Sequence, residues 1–243
     1  MEREKVLLMY SGGLDSILSM ARLISKGYKV LLVHFDNGCS ISTGLEVERA
    51  LSFENGYGKD IVEYIGKITT VPDFRDNERQ IANMPFSEIK EKYGDTTISQ
   101  VRCLNCRSAM YHEAIRYCLL NDVHYIAEGA RKSQLFSIEQ PKVIEGFRQL
   151  LNEFGIELLL PVYDLKDDWS KENELLLYGI IPSASEDKCI LGMPLDEPVP
   201  EYQTDAIFKM FEEKIKPRYV KELKKQLEEP QYPFKGKGRI EYN

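Results

Sequence analysis

The sequence predicts an α/β protein built on a parallel β-sheet, and three features of the chain indicate this class. Short apolar runs alternate with segments whose apolar residues recur at helical spacing. Turn residues end most of the apolar runs, and the chain contains no internal repeat or low-complexity block. With 243 residues, of which 43% are hydrophobic and 29% charged, the chain is long enough to bury a substantial core.

Five apolar runs are predicted as strands, and a helical pattern separates each from the next. The predicted strands are Lys5–Tyr10, Lys29–Phe35, Asp60–Ile68, Asp122–Glu128 and Ile156–Pro161. Helices are predicted over Leu14–Lys26, Gly44–Tyr57, Asn105–Leu120, Pro141–Phe154, Asp168–Tyr178 and Thr204–Leu227. Residues 72–93 are polar and only partly helical in pattern.

The composition divides the chain and limits its partners. After Pro194 it shifts to Pro and Glu, so we expect one domain over residues 1–198 and a C-terminal helix and tail over residues 199–243. No apolar run approaches the ~20 residues that span a bilayer, and the mixed charges of the first five residues do not resemble a signal peptide. We therefore expect a cytoplasmic protein without membrane contact.

The charge distribution gives no general attraction to nucleic acid, because the net charge is −7. From Lys214 onward, however, nine Lys or Arg residues stand against four Glu. Two readings of this basic end stay open: it contacts RNA phosphates, or it is a solvated amphipathic helix.

The turn between the first strand and the first helix has the composition of a phosphate-binding loop. It reads Ser11-Gly12-Gly13-Leu14-Asp15-Ser16. Glycines let the backbone approach an anion closely, and the N–H groups and dipole of the following helix attract it. Ser11 and Ser16 can donate hydroxyl hydrogen bonds, whereas Asp15 suits such a site mainly as a Mg²⁺ partner. The alternative is an ordinary glycine turn that caps a helix.

This loop resembles the Ser-Gly-Gly-x-Asp-Ser signature of the PP-loop, or N-type, ATP pyrophosphatases. The resemblance implies a Rossmann-like, doubly wound parallel sheet, as in the adenine nucleotide α-hydrolases. It also implies that ATP is cleaved between its α and β phosphates, so that a substrate atom is adenylated and pyrophosphate leaves into the loop. His34 and Asp36 are then expected near the adenosine, and Gly129 near the α-phosphate. Ala130 replaces the histidine that often follows this glycine in the family, and His34 can equally be a buried core residue.

The five cysteines do not indicate a disulfide framework, because their number is odd and no export signal is recognised. Cys103 and Cys106 form a C-x-x-C pair that we place at the start of a helix. There the helix N-terminus and the flanking Arg102 and Arg107 are expected to lower the thiol pKa values. No second pair indicates structural zinc. Cys189 is the candidate third ligand. Three thiolates leave one iron of a [4Fe–4S] cluster without a protein ligand, which suits a cluster that takes part in a reaction.

The order of phosphate loop, C-x-x-C pair and distant cysteine resembles PP-loop tRNA thiolation enzymes and thiouridylase-like proteins over roughly residues 4–195. The resemblance implies a sulfur transferase that uses ATP and Mg²⁺ to adenylate a carbonyl oxygen of a tRNA base, then replaces this oxygen with sulfur. Asp15, Cys106 and Cys189 would be catalytic, and Cys103, Cys106 and Cys189 would hold the [4Fe–4S] cluster. The sequence does not identify the sulfur donor, and a homodimer is compatible with it.

Three alternatives stay open. Cys106-Arg107 and the segment ending at Cys189 also resemble tRNA 2-thiouridylases, in which one thiol is the nucleophile and another carries a persulfide. Cys103 is then incidental and no cluster is needed. The acidic composition fits a small-molecule substrate, by sulfur insertion into a cofactor or by ATP-driven amide or nitrile formation. The third alternative is a non-catalytic module that binds ATP.

The two remaining cysteines are not assigned a role in these functions. We expect Cys118 to be a core residue and Cys39 to be a bystander.

Overall fold

The computed structural model of the protein describes residues 3–41, 44–134, 136–185, 188–189 and 199–228. In chain order the elements are β1 (Lys5–Met9), α1 (Leu14–Ser25), β2 (Lys29–Asp36), β3 (Ser40–Ile41), α2 (Leu45–Tyr57), β4 (Val62–Thr69), α3 (Val71–Ala82), α4 (Phe86–Tyr93), α5 (Ile98–Asn121), β5 (Tyr125–Glu128), α6 (Pro141–Asn152), β6 (Glu157–Leu159), α7 (Asp168–Leu177), β7 (Lys188–Cys189), α8 (Glu201–Met210) and α9 (Lys216–Glu228). A 3₁₀ turn lies at Ser137–Glu139 and a π-helical turn at Phe211–Ile215.

Five strands form one parallel sheet in the order β4-β2-β1-β5-β6. The chain runs from β1 outward to one edge and then returns to build the other edge from β5. The strand order therefore reverses beside β1, and ligands of open α/β sheets bind at the carboxyl ends of the strands at such a point. The predicted Rossmann-like α/β fold is confirmed.

The sheet is buried on both faces, as parallel sheets generally are. Because side chains alternate along a strand, neighbouring residues of β1 enter different cores. Val6 and Leu8 pack on the side of α1, whereas Leu7 and Met9 belong to the larger core formed with α5, α6 and the C-terminal helices. The core thus fixes the end of β1, from which the predicted phosphate loop leaves.

The structure differs from the sequence prediction in three places. Residues 72–93 form most of two helices, α3 and α4, and two short strands, β3 and β7, pair antiparallel. Helix α5 begins at Ile98 rather than at Asn105 because Thr97 caps it, with its side chain accepting a hydrogen bond from the Gln100 N–H. As a result, the C-x-x-C pair lies inside α5 and not at its mouth.

The C-terminal helices pack on the same core as the sheet. Phe208 and Phe211 approach Gly146 of α6 so closely that a Cβ there would lie 3.2 and 3.1 Å from their rings. Tyr219 and Leu223 of α9 are also buried in this core. The division into domains at residue 198 stays a prediction, and the predicted tail beyond residue 228 lies outside the described residues. Among the described helices, none has both the length and the apolar character to cross a bilayer.

Phe211→Ala is expected to lower the free energy of unfolding by about 3–5 kcal/mol, because it leaves a cavity in the core. The ring is fully buried and meets Phe147 edge-on at a centroid distance of 4.8 Å. Urea denaturation measures the change. Leu227→Ala is the control, since Leu227 is 56% exposed and its loss should cost no more than about 0.5 kcal/mol. Equal costs would show that the C-terminal helices do not dock.

Candidate active site

A cavity of about 320 Å³, here called the central cavity, opens beyond the carboxyl ends of β1, β2 and β5. It brings together most of the residues that the sequence singled out. From the phosphate loop and the adjacent strands it is lined by Ser11, Asp15, Ser16, His34 and Gly129, and four cysteines also line it, Cys39, Cys103, Cys106 and Cys189. The predicted phosphate site and the predicted thiols therefore share one space.

The phosphate loop, residues 11–16, is held in a fixed shape by its own hydrogen bonds. The Gly13 N–H donates to Ser11 Oγ over 3.2 Å, and Ser16 Oγ donates to the Gly13 carbonyl over 2.8 Å. Gly12 has a φ of +82°, and a Cβ at this position would lie 2.9 Å from the Ser185 carbonyl oxygen. The loop thus requires glycine at residue 12 for both conformation and space.

Gly129 contacts the phosphate loop from β5. A Cβ at this residue would lie 2.8 Å from both the Asp15 carbonyl carbon and the Ser16 nitrogen. These are backbone atoms, so the clash could be relieved only by displacing the loop. Contact of Gly129 with an α-phosphate stays a prediction. The packing of the phosphate loop is by itself sufficient reason for a glycine at this position.

The carboxylate of Asp15 is surrounded by cations. Arg131 Nε lies 3.0 Å and Lys171 Nζ 3.2 Å from Asp15 Oδ1, and both cations also pair with Asp168 at 2.9 Å. Gln134 Nε2 donates to the other carboxylate oxygen over 3.1 Å. Arg131 and Lys171 are buried. Two desolvated cations are therefore positioned at the loop where phosphate charge is expected.

His34 and Asp36 have different environments. His34 is buried, and its Nδ1 lies 3.2 Å from the Tyr10 carbonyl oxygen, although the residue also lines the central cavity. Asp36 Oδ1 accepts a hydrogen bond from the Gly38 N–H over 3.0 Å, so this carboxylate shapes the turn after β2. Contact of either residue with a nucleotide stays a prediction.

The four thiols of the cavity come from two parts of the chain. Cys103 and Cys106 project from α5, whereas Cys189 lies on β7, where it is paired with Ser40 of β3. Cys39 directly precedes this antiparallel ribbon, β3–β7, and also lines the cavity, together with the three cysteines predicted as cluster ligands. The sequence analysis had predicted Cys39 to be a bystander. Cys118 is buried in the core, as predicted.

The predicted lowering of the thiol pKa values is wrong. Burial raises the pKa of Cys103 to about 11 and that of Cys106 to about 12, and the charge of Arg107 only partly opposes this. The Arg107 guanidinium is committed to Glu128, at 2.6 Å, and the thiols lie beyond the first turn of α5. Asn37 Nδ2 donates to Cys106 Sγ over 3.1 Å and favours its thiolate. Metal binding or reaction at these thiols must therefore release protons.

Glu139 is a cavity residue that sequence reasoning missed. It is 5% exposed, and its Oε1 lies 3.4 Å from Arg107 Nη2, while Oε2 is buried without a hydrogen-bond partner among the described residues. Burial raises its pKa to about 7, against the charge of Arg107. Lys171 was missed as well. Neither residue stands in a recognisable motif, since tertiary packing alone brings Glu139 to the cavity and Lys171 to Asp15.

Gly129→Ala is expected to weaken ATP binding at least tenfold, because the new Cβ must displace the backbone of the phosphate loop. Isothermal titration with a non-hydrolysable ATP analogue measures the affinity. Gly56→Ala, on α2, is the control, since a Cβ there meets no atom within 4 Å and should leave binding unchanged. Unaltered affinity in Gly129→Ala would show that the nucleotide does not use this loop.

Comparison with known proteins identifies the family of the chain. Residues 1–146, more than half of the chain, match the family described as "Thiamine biosynthesis protein (ThiI)". The 7-cyano-7-deazaguanine synthase of Thermoplasma acidophilum is 34% identical over 89 residues. This match covers 35% of the chain and 37% of that relative.

Two solved structures share the fold. A 4-thiouridine synthetase, crystallised with RNA and bound ATP, superposes with a TM-score of 0.60 at 13% identity, covering 90% of this chain and 53% of its own. The NMN synthetase of Francisella tularensis superposes with a TM-score of 0.50 at 11% identity, covering 92% and 78%. The chain thus spans only about half of the length of the thiouridine synthetase. By its sequence match over residues 1–146 it belongs to the Thiamine biosynthesis protein (ThiI) family, and with its fold this places it in the PP-loop ATP pyrophosphatase superfamily.

Proposed function

We propose that the protein is an ATP-dependent sulfur transferase that adenylates a carbonyl oxygen of an RNA base and replaces this oxygen with sulfur. One observation carries the proposal: the phosphate loop and four thiols line the same cavity of about 320 Å³. An ATP-activated carbon held at the loop would be within reach of a sulfur nucleophile without any large movement. Adenylation makes the oxygen a good leaving group, and the attacking sulfur must first lose its proton, because burial raises the pKa of the Cys103 and Cys106 thiols.

The residues around Asp15 suit the departure of pyrophosphate. The N–H groups of the loop and of the first turn of α1 would bind its oxygens, together with Ser11 and Ser16. Arg131 and Lys171 would turn from Asp15 towards the phosphates and stabilise the charge that develops as the α–β bond breaks. Asp15, relieved of both cations, would then be free to hold the Mg²⁺ that accompanies ATP.

Glu139 suits the proton transfer that adenylation of a lactam carbonyl requires. The oxygen of such a base becomes nucleophilic when the neighbouring ring N–H loses its proton. Glu139 lines the cavity, and one of its carboxylate oxygens, Oε2, is buried without a hydrogen-bond partner among the described residues. We assign it the role of accepting this proton during adenylation and returning it to the ring nitrogen when sulfur has entered.

We favour a [4Fe–4S] cluster over a single zinc ion at these cysteines. Zinc with bonds of ~2.3 Å draws its sulfur ligands close together, yet the sulfurs of Cys103, Cys106 and Cys189 do not all lie within 4.8 Å of one another in the described structure. A [4Fe–4S] cluster spans a wider set of thiols, and these three residues would hold it. When bound, it would supply sulfide beside the activated carbon.

A persulfide relay through Cys106 and Cys189 is the second candidate, and the position of Cys39 favours it. Cys39 precedes the residue that pairs with Cys189, so a further thiol is available in the cavity for sulfur exchange. The substrate class rests on the related 4-thiouridine synthetase, whose structure contains RNA. The similarity to a 7-cyano-7-deazaguanine synthase makes a small-molecule substrate the alternative.

Lys171→Met is expected to lower the rate of pyrophosphate release by about 10²-fold, because it removes a cation from the developing phosphate charge. A coupled pyrophosphate assay with total tRNA as substrate measures the rate. Lys142→Met is the matched control, since Lys142 also pairs with an aspartate, Asp205, but lies on the surface away from the cavity. Full turnover in Lys171→Met would exclude this site for the leaving group.

Cys106→Ser and Cys189→Ser are expected to abolish both thiolation and the iron and acid-labile sulfide that anaerobic reconstitution introduces into the unaltered protein. Cys118→Ala is the control, because Cys118 is a small buried core residue whose replacement should not affect either quantity. If the unaltered protein stays free of iron yet still thiolates its substrate, the cluster is excluded in favour of the relay.

Thionucleoside analysis of tRNA from a deletion strain tests the substrate, and an unchanged set of thionucleosides would exclude tRNA.

A further inference from the structure

We propose that Asp73, His112 and Glu113 form a binding site for a divalent cation such as Mn²⁺ or Zn²⁺, separate from the central cavity. Asp73 lies on α3, and the other two residues lie on α5. One ligand atom from each side chain lies within 4.8 Å of the other two, and none of the three residues lines the central cavity. An imidazole with two carboxylates is a donor set that binds such ions.

The geometry of His112 distinguishes this group from an ordinary ion pair. Its Nδ1 lies 3.2 Å from Asp73 Oδ1, yet neither ring nitrogen makes a well-aligned hydrogen bond within the described part of the chain, although the residue is only 3% exposed. The two atoms are therefore close without being aligned on each other. Two ligands that each bind one ion at ~2.1 Å are separated by about this distance. Tyr219 stacks on the imidazole at a centroid distance of 4.3 Å and fixes the ring plane.

The charges around the site also call for a cation. Asp73 and Glu113 lie within hydrogen-bond reach of each other, so two acidic groups meet in a largely buried position. Glu113 pairs with Arg116 of α5. On the α9 side, Glu222 Oε2 lies 3.8 Å from His112 Nε2 and also pairs with Arg218. Asp73 and Glu113 thus share the charge of one guanidinium group, that of Arg116, whereas Glu222 has its own cation in Arg218.

The position suggests what the cation would do. Glu113 follows Cys106 by two turns of α5, and Asp73 directly precedes Phe74, which lines the central cavity. An ion bound by both helices would fix α3 against α5 and thereby hold the helix that carries two of the thiols. The site has this structural role whether or not the proposed sulfur transfer is correct.

Electron paramagnetic resonance of Mn²⁺ tests the site in ATP-free protein, because this hard ion prefers carboxylate and imidazole ligands over the thiols of the cavity. We expect the unaltered protein to bind one Mn²⁺ per chain and to gain thermal stability from it. Asp73→Asn and Glu113→Gln should each weaken binding at least tenfold. Glu222→Gln is the matched control, since it removes a carboxylate near His112 that is outside the ligand set, and it should bind Mn²⁺ normally.

The chain contains only three histidines, so their ring signals in proton NMR give a measurement that needs no variant. Mn²⁺ should broaden the His112 signals first. The proposal is overturned if the unaltered protein binds neither Mn²⁺ nor Zn²⁺ stoichiometrically, in which case His112 and Asp73 form an ion pair only. It is also overturned if the His112 signals stay sharp, or if Glu222→Gln loses as much affinity as Asp73→Asn.

Discussion

The phosphate loop is confined on two sides by backbone that leaves no room for a side chain, and the rest of the site depends on this confinement. On one side Gly12 meets Ser185, and on the other Gly129 meets the peptide between Asp15 and Ser16. The contact at Gly129 fixes the loop relative to β5, and the contact at Gly12 fixes it relative to the segment that leads to β7. The loop is therefore the point at which three distant stretches of chain meet.

The same confinement explains the charges at the site. Burying Arg131 and Lys171 without a counterion would be costly, and Asp15 and Asp168 offset this cost while no phosphate is bound. Because Asp15 shares both cations, they are held at the loop before any ligand arrives. In the proposed function the two cations would exchange aspartate partners for phosphate oxygens without the ordering of free side chains, which is a form of preorganisation.

The sequence was sufficient where function depends on local chain structure. The apolar run before Ser11, the glycines and the following helix together predicted the loop and its place in a parallel sheet. The sequence was insufficient where function depends on how deeply a side chain is buried or on contacts between distant parts of the chain. The pKa values of Cys103 and Cys106 were predicted to be lowered, but burial raises them by more than the charge of Arg107 lowers them. The spacing of a C-x-x-C pair does not indicate how deeply its thiols are buried. Glu139 and Lys171 stand in no motif, and only the fold brings Glu139 to the cavity and Lys171 to Asp15.

The three cysteines predicted as cluster ligands lie on two different parts of the fold. Cys103 and Cys106 are fixed by α5, whereas Cys189 lies on a short ribbon whose chain passes Ser185 shortly before. The Ser185 N–H donates to the Gly12 carbonyl over 3.0 Å, so this chain is hydrogen-bonded to the phosphate loop itself. Cys189 follows Ser185 by four residues, so the third predicted thiol ligand lies close in sequence to a residue that is hydrogen-bonded to the phosphate loop.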